Sequence, residues 1–363
     1  MFRRLALAAG LMVLLATASF GVGLSIWSRR QGPHRAGSTI LHWSPVADSA
    51  TSAARLAQTG LISSPRLMQL YLLTLGRSPA FVAGEHLVPA EVSPRELVQL
   101  LARLPTRPGV RVSIPEGFDH FQVAARLQAH GICSRGSFLA AFGDPQLLGR
   151  LGITGPDAEG YLFPATYTLK LDSDPKQLLV RFVEQARKRL RRVAEQIGPK
   201  ALADLETYRG WGEHEILTLA SMVEKETAAD DERALVASVF FNRLDDPNFR
   251  PLGMLQSDPT AHYGCLVLAD QIPSCAGAPA RVTPAMLRDS ANPYNTYRHA
   301  GLPPGPIANP GEASLRAVLE PAKTEYLFFV ARGGGRHRFS RSFEEHDRAV
   351  QQTFGTPPAK AAN

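Results

Sequence analysis

The chain has 363 residues, which is long enough for two or three domains, each with its own core. Apolar residues make up 44% of it and charged residues 20%, the composition of an ordinary globular protein. The net charge of +7 suits work beside anionic lipids and polymers, but the basic residues are not interleaved with aromatic ones as in many nucleic-acid-binding proteins. Nucleic acid is therefore not an expected partner.

A long uncharged segment lies near the start of the chain. No charged residue occurs between Arg4 and Arg29, and residues 5–27 would span roughly 35 Å as a helix, enough to cross a bilayer. A cleavable signal peptide ending at the A-x-A-like site 16–18 is the alternative. We favour a retained anchor because apolar sequence continues beyond that site. Basic residues flank the segment on both sides, so they do not fix its orientation.

An internal duplication follows. The sequence AARLAQTGLIS at 53–63 recurs as AARLQAHGICS at 124–134, a constant offset of 71 residues. Each copy has the pattern of a helix, a glycine turn and a second helix, and each follows a β-prone run, at 40–43 and at 110–114. The sequence therefore predicts two small α/β units.

One predicted helix ends in a pair of carboxylates. An apolar stripe at i, i+3, i+4 and i+7, starting at Ile216, predicts a core-facing helix over residues 214–226. Glu224 and Glu226 lie two positions apart, about 200° around such a helix. They flank the stripe on opposite sides, so we expect that they do not share one cleft. Periodicity alone does not choose between them.

Groups that suit sugar chemistry follow this helix in three short sequences, FFNRL at 240–244, LQSDPT at 255–260 and YNTY at 294–297. Carboxyl groups move protons at a glycosidic oxygen, and planar polar side chains bind hydroxyl and N-acetyl groups. Asp258 has two interpretations, either the second carboxylate of an inverting hydrolase or the cap of the turn before Pro259.

The three cysteines leave their pairing open. Cys265 and Cys275 lie ten positions apart and could close a small disulfide, with Cys133 left over, or all three could be free thiols. No metal-ligand spacing and no phosphate-cradling glycine motif is present, so we expect neither a metal nor another cofactor.

The sequence SMVEKET at 221–227, followed by FFNRL and LQSDPT, resembles the YceG-like family of membrane-anchored endolytic murein transglycosylases. The resemblance runs from about residue 40 to about residue 354 and implies an α+β fold. It also implies a single-pass protein of the inner (cytoplasmic) membrane with a periplasmic catalytic domain. The expected organisation is a cytoplasmic tip and transmembrane anchor at 1–30, a linker at 31–39, a LysM-like domain at 40–108, a YceG-like catalytic domain at 109–355 and a disordered tail at 356–363.

The resemblance also implies roles for individual residues. In the family's E-K-E-T motif the second glutamate is catalytic, which here is Glu226. Glu224 is expected to support it through a hydrogen bond or salt bridge, with Arg243 as the suggested partner. Ala165 stands where the family usually carries Asp, so it receives no role. The expected substrate-binding residues are Gln256, Asp258, Asn295 and Tyr297.

The activity that the resemblance implies needs one acid–base group. A lytic transglycosylase cleaves the bond between N-acetylmuramic acid (MurNAc) and N-acetylglucosamine (GlcNAc) without water and leaves 1,6-anhydro-MurNAc ends. Such an enzyme would terminate nascent peptidoglycan strands at the membrane, beside peptidoglycan synthases and division proteins. One alternative is a peptidoglycan-binding scaffold. The other is a hydrolytic muramidase, which needs a second carboxylate about 5 to 9.5 Å from Glu226.

Overall fold

The computed structural model describes residues 2–33, 37–44, 48–75, 81–103, 109–276 and 281–355. Contacts divide the chain into two compact units, one ending at Gly109 and one beginning at Val110. The predicted tail at 356–363 lies outside the described residues, as do residues 34–36 of the predicted linker. The two units are both mixtures of helices and short antiparallel strand pairs, so the fold is α+β.

The first unit begins with a single long helix. Within it, Gly10–Arg29 is, by length and composition, the one segment of the described residues that could cross a membrane. Strands β1 and β2 pair antiparallel, with Thr39 opposite Val88, and Trp43 and Leu56 lie in the core of the unit. Its elements are α1 (Phe2–Arg29), β1 (Thr39–Trp43), α2 (Ser49–Gln58), α3 (Pro65–Thr74), β2 (Gly84–Val88) and α4 (Pro94–Leu101).

The second unit is larger and mostly helical. It contains two antiparallel pairs, β3 with β4 and β5 with β6, and a 3-10 turn at Asp230–Glu232 precedes α11. Its elements are β3 (Val110–Ile114), α5 (His120–Ala129), α6 (Arg135–Phe142), α7 (Pro145–Leu151), β4 (Ala165–Leu169), α8 (Pro175–Ile197), α9 (Ala201–Arg209), α10 (Glu213–Glu226), α11 (Arg233–Asp245), α12 (Asp258–Val267), α13 (Pro284–Arg288), α14 (Glu312–Leu319), β5 (Phe328–Gly333), β6 (Arg336–Ser340) and α15 (Phe343–Phe354).

The duplicated sequence adopts the same local structure twice. Strand β3 and helix α5 lie 71 positions after β1 and α2, with aspartate N-caps at the matching positions Asp48 and Asp119. Gly60 and Gly131, also matched, both adopt positive φ (70° and 67°), which glycine tolerates and which turns the chain into the second helix. The closing strands β2 and β4 are offset by 81 residues, because the second copy has a longer return that includes α7.

Helix α10 is more deeply buried than a stripe on one face predicts. All eight residues from Ile216 to Val223 are buried, because α10 packs against α11, α12 and α14. Its two hydroxyl side chains in this stretch are satisfied: Thr218 donates to the carbonyl of His214, and Ser221 donates to the carbonyl of Thr218 (both 2.7 Å). This helix is therefore a fixed support for the residues at its C-terminal end.

A buried carboxylate joins distant parts of the second unit. Glu159 is fully buried, and its Oε2 accepts hydrogen bonds from the backbone N–H of His120 (3.1 Å), from the ring of His120 (2.6 Å) and from the hydroxyl of Tyr263 (3.0 Å). Its Oε1 accepts from the side-chain amide of Asn309 (2.6 Å). One side chain therefore ties α5, α12 and the loop before α14 together.

Replacing this carboxylate should destabilise the fold. Glu159→Ala would leave His120, Tyr263 and Asn309 buried without their acceptor, so we expect a loss of about 3–5 kcal/mol in the free energy of unfolding. Denaturant unfolding of residues 30–363 measures it, with Glu195→Ala at an exposed site on α8 as the matched control. A loss below about 1 kcal/mol, the level of the control, would contradict this account.

Candidate active site

Glu226 is the last residue of α10, and its carboxyl group contacts the residue that precedes α12. The hydroxyl of Ser257 donates a hydrogen bond of 2.5 Å to Oε1 of Glu226. Ser257 occupies the N-cap position of α12 but makes no capping hydrogen bond through its side chain. Its hydroxyl is therefore committed to the glutamate instead of the helix end.

Opposing effects set the proton affinity of this glutamate. The pKa of Glu226 is raised to about 7. Burial raises it most, the hydrogen bond from Ser257 lowers it, the charge of Asp258 raises it and the charge of Arg243 lowers it. A carboxyl group of this kind holds its proton for a large part of the time near neutral pH. It can therefore donate the proton and take it back, as an acid–base catalyst must.

The loop that carries Ser257 is held by buried hydroxyl groups. The backbone N–H of Ser257 donates to Oγ1 of Thr296 (3.0 Å), and the hydroxyl of Thr260 donates to the carbonyl of Ser257 (2.6 Å). The N–H of Gln256 donates to the carbonyl of Thr296 (3.1 Å). Gln256 adopts φ +52°, a costly conformation for a residue other than glycine, and such residues concentrate at functional sites.

Arg243 lies beside the glutamate in a nearly closed environment. It is 6% exposed, and its guanidinium donates to the carbonyls of Leu327 (2.7 Å) and Leu255 (2.5 Å). The rings of Phe249 and Phe328 lie 5.3 and 5.5 Å from the guanidinium. Arg243 therefore links the start of the hairpin to the loop before Ser257 and supplies positive charge near Glu226.

The suggested pairing of Glu224 with Arg243 is wrong. Glu224 instead contacts Arg233 (3.4 Å), at the start of α11, and accepts hydrogen bonds from the N–H of Gly311 (2.9 Å) and the hydroxyl of Ser314 (2.7 Å). These contacts tie the end of α10 to α14. Glu224 is thus engaged in supporting interactions, with different partners from the one expected.

Glu226 borders two cavities. The first, of about 470 Å³, also contains Arg243 and three of the predicted residues, Gln256, Asp258 and Tyr297. The second, of about 480 Å³, is bordered by both Glu224 and Glu226. The expectation that the two glutamates do not share a cleft is therefore wrong, because this cavity is bordered by the consecutive residues 224–228 at the end of α10.

The predicted binding residues divide into two groups. Tyr297 and Asp258 contact each other in the first cavity, where the hydroxyl of Tyr297 donates to Oδ1 of Asp258 (2.7 Å). Asn295 is fully buried, its amide nitrogen donates to three carbonyls of the 286–289 segment, and its oxygen accepts from the N–H of Tyr297. Because these bonds use its polar atoms to hold the loop, the geometry gives no support to a contact between Asn295 and a sugar.

Sequence patterns missed several residues of the first cavity. Phe343, at the start of α15, is 64% exposed although it is a large aromatic residue. Phe328 and His346 also border the cavity, and their rings stack with a centroid separation of 5.2 Å. These residues lie about a hundred positions after Glu226 in the sequence, and no motif connects them to it. Phe343 directly follows Ser342, the N-cap of α15.

Removing the hydroxyl at position 257 should raise the pKa of Glu226. The hydroxyl stabilises the ionised carboxylate, so in Ser257→Ala we expect a pKa about one pH unit higher than in the wild type. A ¹³C NMR titration of protein labelled at the glutamate carboxyls measures it, with the Glu226→Gln spectrum as the assignment. Ser257→Thr retains a hydroxyl and should keep the wild-type value; an unchanged pKa in the alanine variant would refute the effect.

Comparison with known proteins places this site in a family. A sequence model of the YceG-like family matches residues 45–352. The chain is 29% identical over 333 residues to the endolytic murein transglycosylase of Bacillus subtilis, covering 87% of this chain and 85% of that protein. It is 31% identical over 264 residues to the endolytic murein transglycosylase of Streptococcus pneumoniae D39, covering 66% of this chain and 44% of that protein.

A solved structure agrees with these matches. The crystal structure of a yceG-like protein from Listeria monocytogenes aligns with a TM-score of 0.54 at 26% sequence identity, covering 86% of this chain and 99% of that one. The family match extends over most of the chain and includes all of the residues that surround Glu226. The chain therefore belongs to the YceG-like family.

Proposed function

We propose that this protein is an endolytic lytic transglycosylase that cleaves the MurNAc–GlcNAc bond of nascent peptidoglycan. The observation that carries the proposal is Glu226, whose buried carboxyl has a pKa of about 7 and borders two cavities. Its relatives are named for the same activity. Cleavage inside a strand would terminate its elongation and set its length.

The geometry supports a mechanism with one acid–base group. Oε1 of Glu226 accepts the hydrogen bond from Ser257, so the proton of the acid form is carried on Oε2. That proton passes to the bridging oxygen as the bond to C1 of MurNAc breaks and an oxocarbenium-like centre develops. The resulting carboxylate then takes the proton of the C6 hydroxyl of the same sugar. The C6 oxygen bonds to C1, and the 1,6-anhydro ring closes without water.

Hydrolysis is the second candidate for the same bond. It would require Asp258 to attack C1 or to activate a water molecule. Asp258 accepts a hydrogen bond of 2.7 Å from the hydroxyl of Tyr297, which suits a residue that shapes the cavity and binds substrate. A non-catalytic scaffold would not require a buried glutamate with a pKa of about 7, as Glu226 has. These contacts favour the transglycosylase.

Export and anchoring are part of the proposal. Residues 10–29 would form the single-pass anchor in the inner membrane and keep the enzyme beside newly made strands and the synthases that make them. Cys265 and Cys275 form a disulfide, a bond that persists in oxidising compartments such as the periplasm. This supports a periplasmic second unit. The strand–helix–helix–strand order of the first unit supports a LysM-like, glycan-binding role for it.

Removing the acid should abolish cleavage. We expect Glu226→Gln to leave no measurable anhydro product from uncrosslinked glycan strands, because the amide can neither donate nor accept the proton. Mass spectrometry of the products distinguishes anhydro-MurNAc ends from hydrated reducing ends. Glu195→Gln on α8 is the matched control and should retain full activity. Anhydro ends made by Glu226→Gln would disprove the assignment, and hydrated ends made by the wild type would identify a muramidase.

The rate should fall as pH rises through the pKa of the acid. Glu226 must start protonated, so kcat/KM is expected to decline above about pH 7, approaching tenfold per pH unit. Initial rates over the range of about pH 5 to 9 measure this. In Ser257→Ala the same decline should begin at a higher pH. A wild-type rate that is constant from about pH 6 to 9 would be inconsistent with Glu226 as the proton donor.

A further inference from the structure

The second cavity has a wall that comes from the duplicated unit. It is bordered by the loop between β3 and α5, residues 116–118, and by Gln122 in the first turn of α5. Lys225 and Glu226 close it from the end of α10. A glycosidic bond has a sugar on each side, so an acid that cleaves inside a strand needs a place for both. The two cavities that Glu226 borders offer space for both.

We propose that this second cavity is a subsite for the carboxylate-bearing part of the glycan strand, in which Lys225 binds a carboxylate of the substrate. The inference rests on the proposed function and specifies the residues that hold one side of the cleaved bond. In murein the substituents of MurNAc, the lactyl group or the stem peptide, carry such carboxylates. A neutral glycan of the same backbone lacks them.

The charges around the cavity leave one cation available. The Glu224 carboxylate is already engaged with Arg233, Gly311 and Ser314. Lys225 is exposed, and its ammonium donates to the carbonyl of Gly117 at 3.3 Å. It has no carboxylate partner among the residues that the structure describes, so two of its three N–H donors remain for a ligand. The other cation, Arg233, is committed to the protein.

Two more polar residues border the cavity, Glu116 and Gln122. Burial, and then the neighbouring Glu224 carboxylate, raise the pKa of Glu116 above its ordinary value. Gln122 also contributes: its Oε1 accepts from the N–H of Asp119, while its amide nitrogen has no hydrogen-bond partner in the described part of the chain. The nitrogen is a free donor for a sugar hydroxyl or carbonyl.

The wall is fixed before any ligand arrives. The N–H of Gly117 donates to the carbonyl of Asn309 (2.9 Å), and the carbonyl of Phe118 accepts from both the N–H (2.9 Å) and the side-chain amide (2.8 Å) of Asn309. Gly117 adopts φ +71°, which a side chain would strain. The guanidinium of Arg126 lies 5.1 Å from the ring of Phe118. A preformed wall reduces the entropy lost on binding.

Binding to the inactive Glu226→Gln protein tests the inference without turnover. Uncrosslinked strands with free carboxyls are titrated in parallel with the same strands after their carboxyls have been converted to neutral methylamides. We expect Lys225→Met, in the Glu226→Gln background, to raise Kd about fivefold for the charged strands and to leave Kd for the neutral strands unchanged. Lys200→Met, at an exposed site outside both cavities, is the matched control and should change neither value.

Two outcomes would overturn the inference. An unchanged Kd in Lys225→Met would show that the lysine does not bind the strand. An equal loss on charged and neutral strands would show that Lys225 acts only by holding the loop through Gly117. Cleavage by the wild-type protein is measured separately, so a failure of the proposed activity is distinguishable from a failure of this subsite.

Discussion

The candidate active site depends on a buried carboxylate that lies outside it. Glu159 lies in the core and holds His120, Tyr263 and Asn309 through four hydrogen bonds. His120 follows the loop that forms one cavity wall. Tyr263 lies on α12, which begins after the serine that contacts Glu226, and Asn309 fixes Phe118. A buried charge costs stability unless all its partners are present, so the three segments must assemble together. Both sides of the cleft are positioned by that requirement.

The pKa of Glu226 is set by interactions with opposite effects. Burial alone would favour the neutral acid, and the hydrogen bond and the nearby guanidinium alone would favour the anion. A group that first donates a proton and then accepts one needs a pKa near the working pH, neither very high nor very low. The positions of Ser257 and Arg243 are in turn fixed by backbone carbonyls and hydroxyls, so the balance is set by the loops as much as by the helix.

Part of this structure could be predicted from sequence. Apolar periodicity located α10 to within one residue of its start, and an 11-residue match revealed the duplication. The sequence did not predict which of these residues contact each other in the fold. Arg233 and Arg243 both lie on α11, and only the packing of α10, α11 and α14 selects the first as the partner of Glu224. The sequence around Asn295 indicated a polar loop but not that its amide is buried. Phe343 borders the first cavity because of tertiary packing, which the sequence pattern does not specify.

The two copies of the repeat differ in the segment between their second helix and their closing strand, which is longer in the second copy. Both share the strand, the capped helix and the glycine turn, but only the second places Glu159 between its last helix and its closing strand. The first copy lacks that bridging carboxylate and has its own hydrophobic core. The first copy is therefore free of the constraint that this carboxylate imposes, whereas in the second copy every segment that Glu159 connects must keep its hydrogen-bonding partner.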